Sequence, residues 1–214
     1  SIPVRGEIIG IMGPNGAGKS SLIKSLIGEF NATGTKLLYN KPIQQQLQHI
    51  TYIPQKAHID LDFPISVEQV ILSGCYKEID KLKQLLSDLE LESLRHRQIS
   101  ELSGGQLQRV LVARALMSES EVYFLDEPFV GIDFSSEKLI MTKIENLKQQ
   151  GKLILIIHHD LSKAKQYFDR IILLNQTLRY FGDSEEAMSV TRLNETFMSS
   201  TDCSDPSQRS NITC

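Results

Sequence analysis

With 214 residues, 41% of them hydrophobic, the chain is long enough to bury a full core, which excludes disorder throughout and points to one domain with an insertion. A formal net charge of −3 excludes a general attraction to nucleic acid or anionic lipid, so no nucleic-acid partner is expected. The three cysteines, Cys75, Cys203 and Cys214, suit a reducing compartment better than a disulfide framework, and no run approaches the roughly 18 apolar residues of a membrane-spanning helix.

Ser1-Ile2-Pro3-Val4-Arg5-Gly6 precedes the first apolar run by only a few residues, so a truncated start is expected, with any earlier edge strands outside this chain. Glu7–Met12 reads as a buried strand. Gly13-Pro14-Asn15-Gly16-Ala17-Gly18-Lys19-Ser20-Ser21 follows and fits G-x-x-x-x-G-K-[ST]. In that pattern the glycines let successive backbone N–H groups close around phosphate oxygens, the lysine supplies a point charge, and the hydroxyl is a Mg²⁺ ligand. Such a match arises by chance in roughly one chain in a hundred of this length, so the flanking elements must carry it. They do: a strand precedes it, and residues 20–26 form a helix whose positive N-terminus faces the phosphates.

Residues 35–39 and 49–53 are strand-like, with Asn40-Lys41-Pro42 as a turn, and together predict a small antiparallel layer. Gln55 stands just past the second strand. Val67–Leu72, begun by a Ser66 cap, and residues 79–91, with Ile79, Leu82, Leu86 and Leu89 at helical spacing, predict a helical insert. Leu102-Ser103-Gly104-Gly105-Gln106 opens a further helix through Leu107, Val110, Leu111, Arg114 and Ala115. Val122–Asp126 is a buried strand, residues 135–150 a helix ending at Gly151, Leu153–Ile157 and residues 170–174 further buried strands, and residues 161–167 a helix between them. Strands alternating with helices make the fold α/β, with a mainly parallel sheet covered on both faces, and the G-x-x-x-x-G-K-[ST] loop after its first strand makes the expectation a P-loop NTPase. From about Ser199 the chain is rich in Ser, Asp and Thr and is expected to be disordered. The domain reading is residues 1–64 and 102–182 as two parts of a nucleotide-binding core, 65–101 as the helical insert, and 183–214 as a C-terminal segment.

Asp126 and Glu127 close an apolar strand, an arrangement that places one acid on the water shell of Mg²⁺ and leaves its neighbour to orient an attacking water. An isolated pair of this kind is usually a solvated strand end; beside a phosphate loop in the same chain it reads as chemistry. Gln55 likewise becomes a Mg²⁺ and water ligand only in that company. The run from Leu102 to Gln106 is rarer, occurring by chance in about a few chains per ten thousand. Ser103 there is at least a helix N-cap, and with the exposed N–H groups after it could form a second anion site. One triphosphate and two such sites imply that the second serves a nucleotide held elsewhere.

The P-loop, Gln55, residues 102–106, Asp126-Glu127, Gly131-Ile132-Asp133 and His158-His159-Asp160-Leu161 stand in an order and spacing that resembles an ABC-type ATPase subunit, over nearly the whole chain up to about Phe181. The resemblance implies that two subunits pack head to tail, each ATP lying between the P-loop of one and the signature loop, Leu102 to Gln106, of the other. It implies that Lys19 and the N–H groups of residues 15–20 hold the β and γ phosphates, and that Ser20 and Gln55 ligate Mg²⁺, with Asp126 acting through water. Glu127 matches the catalytic carboxylate, His159 the switch histidine that touches the γ-phosphate, and Asp133 the loop across the dimer seam. The histidine pair is then no metal site, because adjacent residues at a strand end point to opposite faces, and His158 is packing.

The wordings Asp62-Phe63-Pro64-Ile65-Ser66, Asp126-Glu127-Pro128-Phe129-Val130-Gly131-Ile132-Asp133 and His158-His159-Asp160-Leu161 are similar to those of the ATPase subunits of bacterial manganese, zinc or iron importers. This implies a homodimer at the cytoplasmic face of the bacterial membrane, docked under integral membrane permease subunits and served indirectly by an extracytoplasmic substrate-binding protein. An importer ATPase for another substrate, and a soluble ATP-gated clamp of the same family, are the alternatives; the long coiled-coil insertion of chromosome clamps does not stand between Ser20 and Leu102. Two features depart from the family pattern. The aromatic residue that stacks on adenine lies upstream of the P-loop, where this chain offers none, and the segment after Gly74-Cys75-Tyr76 passes almost directly into Lys77 and the next helix, leaving the permease-facing surface unassigned.

Overall fold

The structure, a computed structural model, describes residue 2 and residues 5–30, 32–55, 64–75 and 78–198. The chain starts with β1 (Glu7–Met12) and turns through the glycine-rich loop into α1 (Lys19–Ile27). A hairpin of β2 (Leu37–Leu38) and β3 (Lys41–Pro42) follows, then two tight helical turns and β4 (Ile50–Ile53). The helices α2 (Val67–Leu72), α3 (Ile79–Asp88) and α4 (Gly104–Met117) lead to β5 (Val122–Asp126), α5 (Phe134–Gln149), β6 (Leu153–Ile157), α6 (Ala164–Tyr167) and β7 (Arg170–Asn175). The described chain closes with β8 (Thr177–Asp183), α7 (Ser184–Ala187) and α8 (Val190–Phe197). No helix among the described residues is long and apolar enough to cross a membrane.

The main sheet is six-stranded in the order β4-β5-β6-β1-β7-β8, and every pairing is parallel except β7 with β8. β1, β5 and β6 are buried along their whole length, as strands covered on both faces must be. On one face Ile9, Ile11, Phe124 and Leu155 pack over Ile23 of α1; on the other Ile8, Ile154 and Ile156 belong to a cluster that runs on through Val110 of α4 to Leu82 and Leu86 of α3. The helical insert therefore shares a core with the sheet instead of forming one of its own. Gly10 allows the closest approach: a Cβ there would lie 2.5 Å from the Phe168 ring, which caps the sheet at the end of α6.

The register sets up the site. Ile11 of β1 and Asp126 of β5 both pair with Ile157 of β6, so the residues just past these three strands, Gly13, Glu127 and His158-His159, emerge at one edge of the sheet. Ligands of open parallel sheets bind outside the carboxyl ends of the strands, where neighbouring connections diverge.

The small antiparallel layer differs from its expected pairing. Residues 49–53 do not pair with 35–39: β4 lies parallel to β5, with Ile50 opposite Val122, while β2 pairs with β3 across Tyr39 and Asn40, whose φ of 53° and 60° make a two-residue hairpin turn. The turn lies one residue earlier than expected, and the apolar β4 finds a fully buried parallel neighbour that a two-residue strand could not supply. The helix expected over 79–91 stops at Asp88, because Glu90 turns left-handed (φ 52°) and Leu91 N–H bonds back to the Leu86 carbonyl at 2.7 Å. Beyond Asn175 the left-handed Gln176 (φ 57°) starts β8, which the sequence reading did not anticipate. The segment expected to be disordered from about Ser199, the Asp62-Phe63 wording, Tyr76-Lys77 and the first residues before Arg5 other than Ile2 lie outside the described residues.

Candidate nucleotide site

Gly13 leaves β1 where only glycine fits: a Cβ there would lie 1.9 Å from the Leu174 carbonyl oxygen. Gly16 and Gly18 adopt left-handed φ of 78° and 93°, turning the loop back onto α1, and the Ala17 carbonyl is tied down by the Gln176 N–H at 3.0 Å. Gly18 is the N-cap of α1 and has no side chain to bond the first-turn N–H groups, so these face an anion position. Lys19 is buried, its Nζ donating to the carbonyls of Gly13 and Pro14 at 2.9 Å each. Burial pushes its ammonium below the usual lysine range, against the pull of Glu127 and Asp126. A cleft of about 230 Å³ lies over this loop, lined by Asn15, Gly16, Ala17, Gly18, Lys19, Ser20 and Ser21 on one side and by Glu127 and His159 on the other.

The end of β5 completes the wall. Ser20 Oγ donates to Asp126 Oδ1 at 3.1 Å, and the Tyr52 hydroxyl approaches Asp126 Oδ2 at 3.5 Å. Asp126 is almost wholly buried, which pushes its carboxyl above the usual range while the Ser20 bond pulls it back. The next residue breaks the strand: Glu127 is left-handed (φ 55°), a conformation that costs a non-glycine residue about 1–3 kcal/mol and that turns its carboxylate towards the cleft. Gln55 Nε2, from the end of β4, donates to Glu127 Oε2, and His159 Nε2, from the end of β6, pairs with Glu127 Oε1. His158 points the other way, edge-on to Phe129 and Phe168 at ring distances of 5.6 and 5.8 Å, with Nε2 buried and without a partner; burial pushes its imidazole below the usual histidine range. The two adjacent histidines thus diverge, as expected, and His158 is a packing residue.

Residues 102–106 occupy a different surface. Ser103 caps α4 in a capping box: its Oγ accepts from Gln106 N–H at 3.3 Å, and Gln106 Oε1 accepts from Ser103 N–H at 3.0 Å. Leu102 is half-buried, Ser103 and Gly104 are exposed, and Gly105 is buried against Asp133, where an added Cβ would stand 3.0 Å from Oδ2. Asp133 itself is the N-cap of α5, accepting from Ser136 N–H and Ser136 Oγ at 2.9 Å each; these bonds hold its carboxyl below the usual range. Neither Asp133 nor residues 102–106 line the P-loop cleft. The structure therefore gathers the P-loop, Gln55, Asp126, Glu127 and His159 around one cleft and packs residues 102–106 with Asp133 on a different surface. Tyr52, whose burial and then its nearness to Asp126 push its phenol up to about 12, was missed as a site residue; its place within β4, three residues before Gln55, was the available signal.

The family model described as ABC transporter matches residues 4–130. The chain is 46% identical over 188 residues to the manganese transport system ATP-binding protein of Halalkalibacterium halodurans, spanning 83% of this chain and 75% of that one. It is 43% identical over 204 residues to the manganese transport system ATP-binding protein of Bacillus subtilis, spanning 90% and 82%. Over 182 residues it is 41% identical to the zinc transport system ATP-binding protein of Treponema pallidum, spanning 79% and 68%. Among solved structures, a nucleotide-free ATP-binding cassette from an ABC transporter superposes with a TM-score of 0.76 at 26% identity, covering 89% of this chain and 88% of that one.

Proposed function

The chain belongs to the ABC transporter family, and from that premise we propose that it is the ATPase subunit of an importer, hydrolysing ATP to drive uptake of a metal ion, manganese, zinc or iron, through a membrane permease. The observation that carries the chemistry is Glu127, a carboxylate set off the strand line and held from both sides by Gln55 and His159 above the P-loop.

In this reading the N–H groups at the start of α1 and the Lys19 ammonium bind the phosphates of ATP, the ammonium exchanging its loop carbonyls for phosphate oxygens. Ser20 Oγ, Asp126 and the Gln55 amide form a donor set of hard oxygens, two of them 3.1 Å apart, which fits Mg²⁺. That ion, when bound, would neutralise charge on the phosphates. Glu127 orients a water for attack on the γ-phosphorus and takes its proton as the bond to the bridging oxygen breaks, giving ADP and inorganic phosphate. His159 pairs with the Glu127 carboxylate and lines the cleft over the P-loop, where it would touch the γ-phosphate.

The signature surface, standing apart from the P-loop cleft, is proposed to serve the ATP of a second copy packed head to tail. In this reading the permease sits in a groove of about 480 Å³ between β4, the end of α2 and α4, lined among others by Pro54, Ser73, Gly74 and Arg114. Pro54 precedes Gln55 directly, so a partner seated there would feel the state of the nucleotide site. In this reading the subunit sits peripherally at the cytoplasmic face, and an extracytoplasmic binding protein supplies the ion. The test is ion uptake by cells expressing the chain with its permease, measured with manganese, zinc and iron: ATP-dependent uptake that Glu127→Gln abolishes supports the reading, and a purified chain that hydrolyses ATP but supports uptake of none of the three ions overturns the metal assignment.

A further inference from the structure

Glu137 is a buried carboxylate with no part in the reading above. It lies in the first turn of α5, its N–H bonded to the Asp133 carbonyl at 3.0 Å, so it moves with the loop that carries Asp133. Its Oε1 accepts from Lys163 Nζ at 2.8 Å and from the Tyr167 hydroxyl at 2.8 Å, and its Oε2 accepts from Lys163 Nζ at 2.6 Å. Lys163 and Tyr167 belong to the short helical segment that follows His159-Asp160, and Lys163 also stands 3.9 Å from Asp160 Oδ2. Glu137 is buried while Lys163 is partly exposed, and a carboxylate buried to this extent is costly to keep unless it is paired and hydrogen-bonded; here it accepts three bonds. Glu137 and Lys163 also line a cavity of about 270 Å³ together with Glu127, His158 and His159.

We propose that Glu137 is a positioning residue for hydrolysis. Clamped on Lys163 and Tyr167, it joins the Asp133 loop and the His159 loop into one body, so that whatever seats Asp133 against a second copy also fixes His159 on Glu127. Without the clamp the two loops move separately, and His159 meets Glu127 in the required geometry only part of the time. This inference rests on the ATPase reading and adds a residue to it.

The experiment uses the full chain, with ATP hydrolysis, MgATP titration and thermal melting measured in parallel. Glu137→Gln is expected to lower kcat between about tenfold and a hundredfold, the scale of a misplaced catalytic group, while KM and the Kd for MgATP stay within about twofold. Lys163→Met should match it, and Lys163→Arg, which keeps the charge and can donate to both carboxylate oxygens, should recover most of the loss. Tyr167→Phe removes one bond and keeps the ion pair; it should lower kcat several-fold and serves as the deciding variant if Glu137→Gln does not fold. Wild-type kcat in folded Glu137→Gln, a loss of kcat that tracks a loss of ATP affinity or of folded protein, or Lys163→Arg no better than Lys163→Met would each overturn the proposal. Failure of the ATPase reading looks different: wild-type protein would then hydrolyse no ATP, or Glu127→Gln would leave its rate intact.

Discussion

At the scale of single residues, the site is built by putting groups where they are expensive. Glu127 accepts a left-handed backbone, Lys19 and Asp126 give up water, and burial among aromatic rings pushes the His158 imidazole below its usual range. Glu127→Gln keeps shape and removes the base, so phosphate release should fall by about 10²–10⁴. ATP titration should give nearly wild-type affinity, since Lys19 and the loop N–H groups remain. Steady-state release near the wild-type rate would remove Glu127 from its role. His158 gives a pH prediction. Its folded pKa is depressed, so the unfolded chain binds the extra proton first, and the stability tied to the neutral ring is intact above the unfolded value of about 6.5 and lost as pH falls towards the folded one. The groups that act on the ring most strongly are Asp160 and Glu137, which favour the proton, and Lys163 and His159, which oppose it. Melting temperatures from pH 7.5 down to 5 should fall more steeply in wild type than in His158→Phe; parallel curves would show that the ring titrates normally.

At the scale of elements, two helices begin with the same device. Ser66 and Gln69 cap α2 through bonds of 3.3 and 2.9 Å, and Ser103 and Gln106 cap α4 through bonds of 3.3 and 3.0 Å. Ser66→Ala and Ser103→Ala should therefore cost similar stability by chemical denaturation, about 1 kcal/mol each. Only Ser103→Ala should also slow hydrolysis, because only that cap stands on the signature surface; equal effects of the two on hydrolysis would reduce Ser103 to a cap. The same contrast shows what was legible in the sequence. The α2 boundaries follow from Ser66 and the apolar spacing, and β5 and β6 from unbroken apolar runs, because these signals are local. β4 was visible as a strand, but nothing in its residues says whether its partner is β2 or the distant β5. β8 was missed because half-exposed Tyr180 and Phe181 sit beside exposed Thr177 and Leu178, a pattern with neither a clean alternation nor a buried run. In the site, the phosphate loop and Asp126-Glu127 are contiguous in sequence and could be read there. The clamp of Glu137 on Lys163 and Tyr167 joins positions 26 and 30 apart on different elements, a relation that only the packed α5 and α6 reveal.

At the scale of the whole molecule, the decisive fact is the separation of the P-loop from residues 102–106. The cleft over Lys19 is lined by Glu127 and His159, and the exposed Ser103-Gly104 pair lies elsewhere, packed through Gly105 on Asp133. Head-to-tail pairing of two copies would bring each signature to the other copy's P-loop, and this can be tested by mixing lesions. Take one copy with Lys19→Ala and another with Ser103→Arg. Alone, each variant forms homodimers in which every composite site is damaged, and single-turnover hydrolysis should be low in both. In a mixed dimer paired across chains, one site combines Lys19→Ala with Ser103→Arg, while the other combines the intact P-loop of the second copy with the intact signature of the first. Random mixing at equal concentrations makes about half the dimers mixed and leaves about a quarter of all sites whole, so hydrolysis should rise well above either variant alone. If each chain instead used its own signature, every site in the mixed dimer would keep exactly one lesion and mixing would restore nothing. Recovery on mixing, measured as phosphate formed in a single turnover at saturating ATP, therefore decides between the two arrangements, and its absence would sink the head-to-tail assembly.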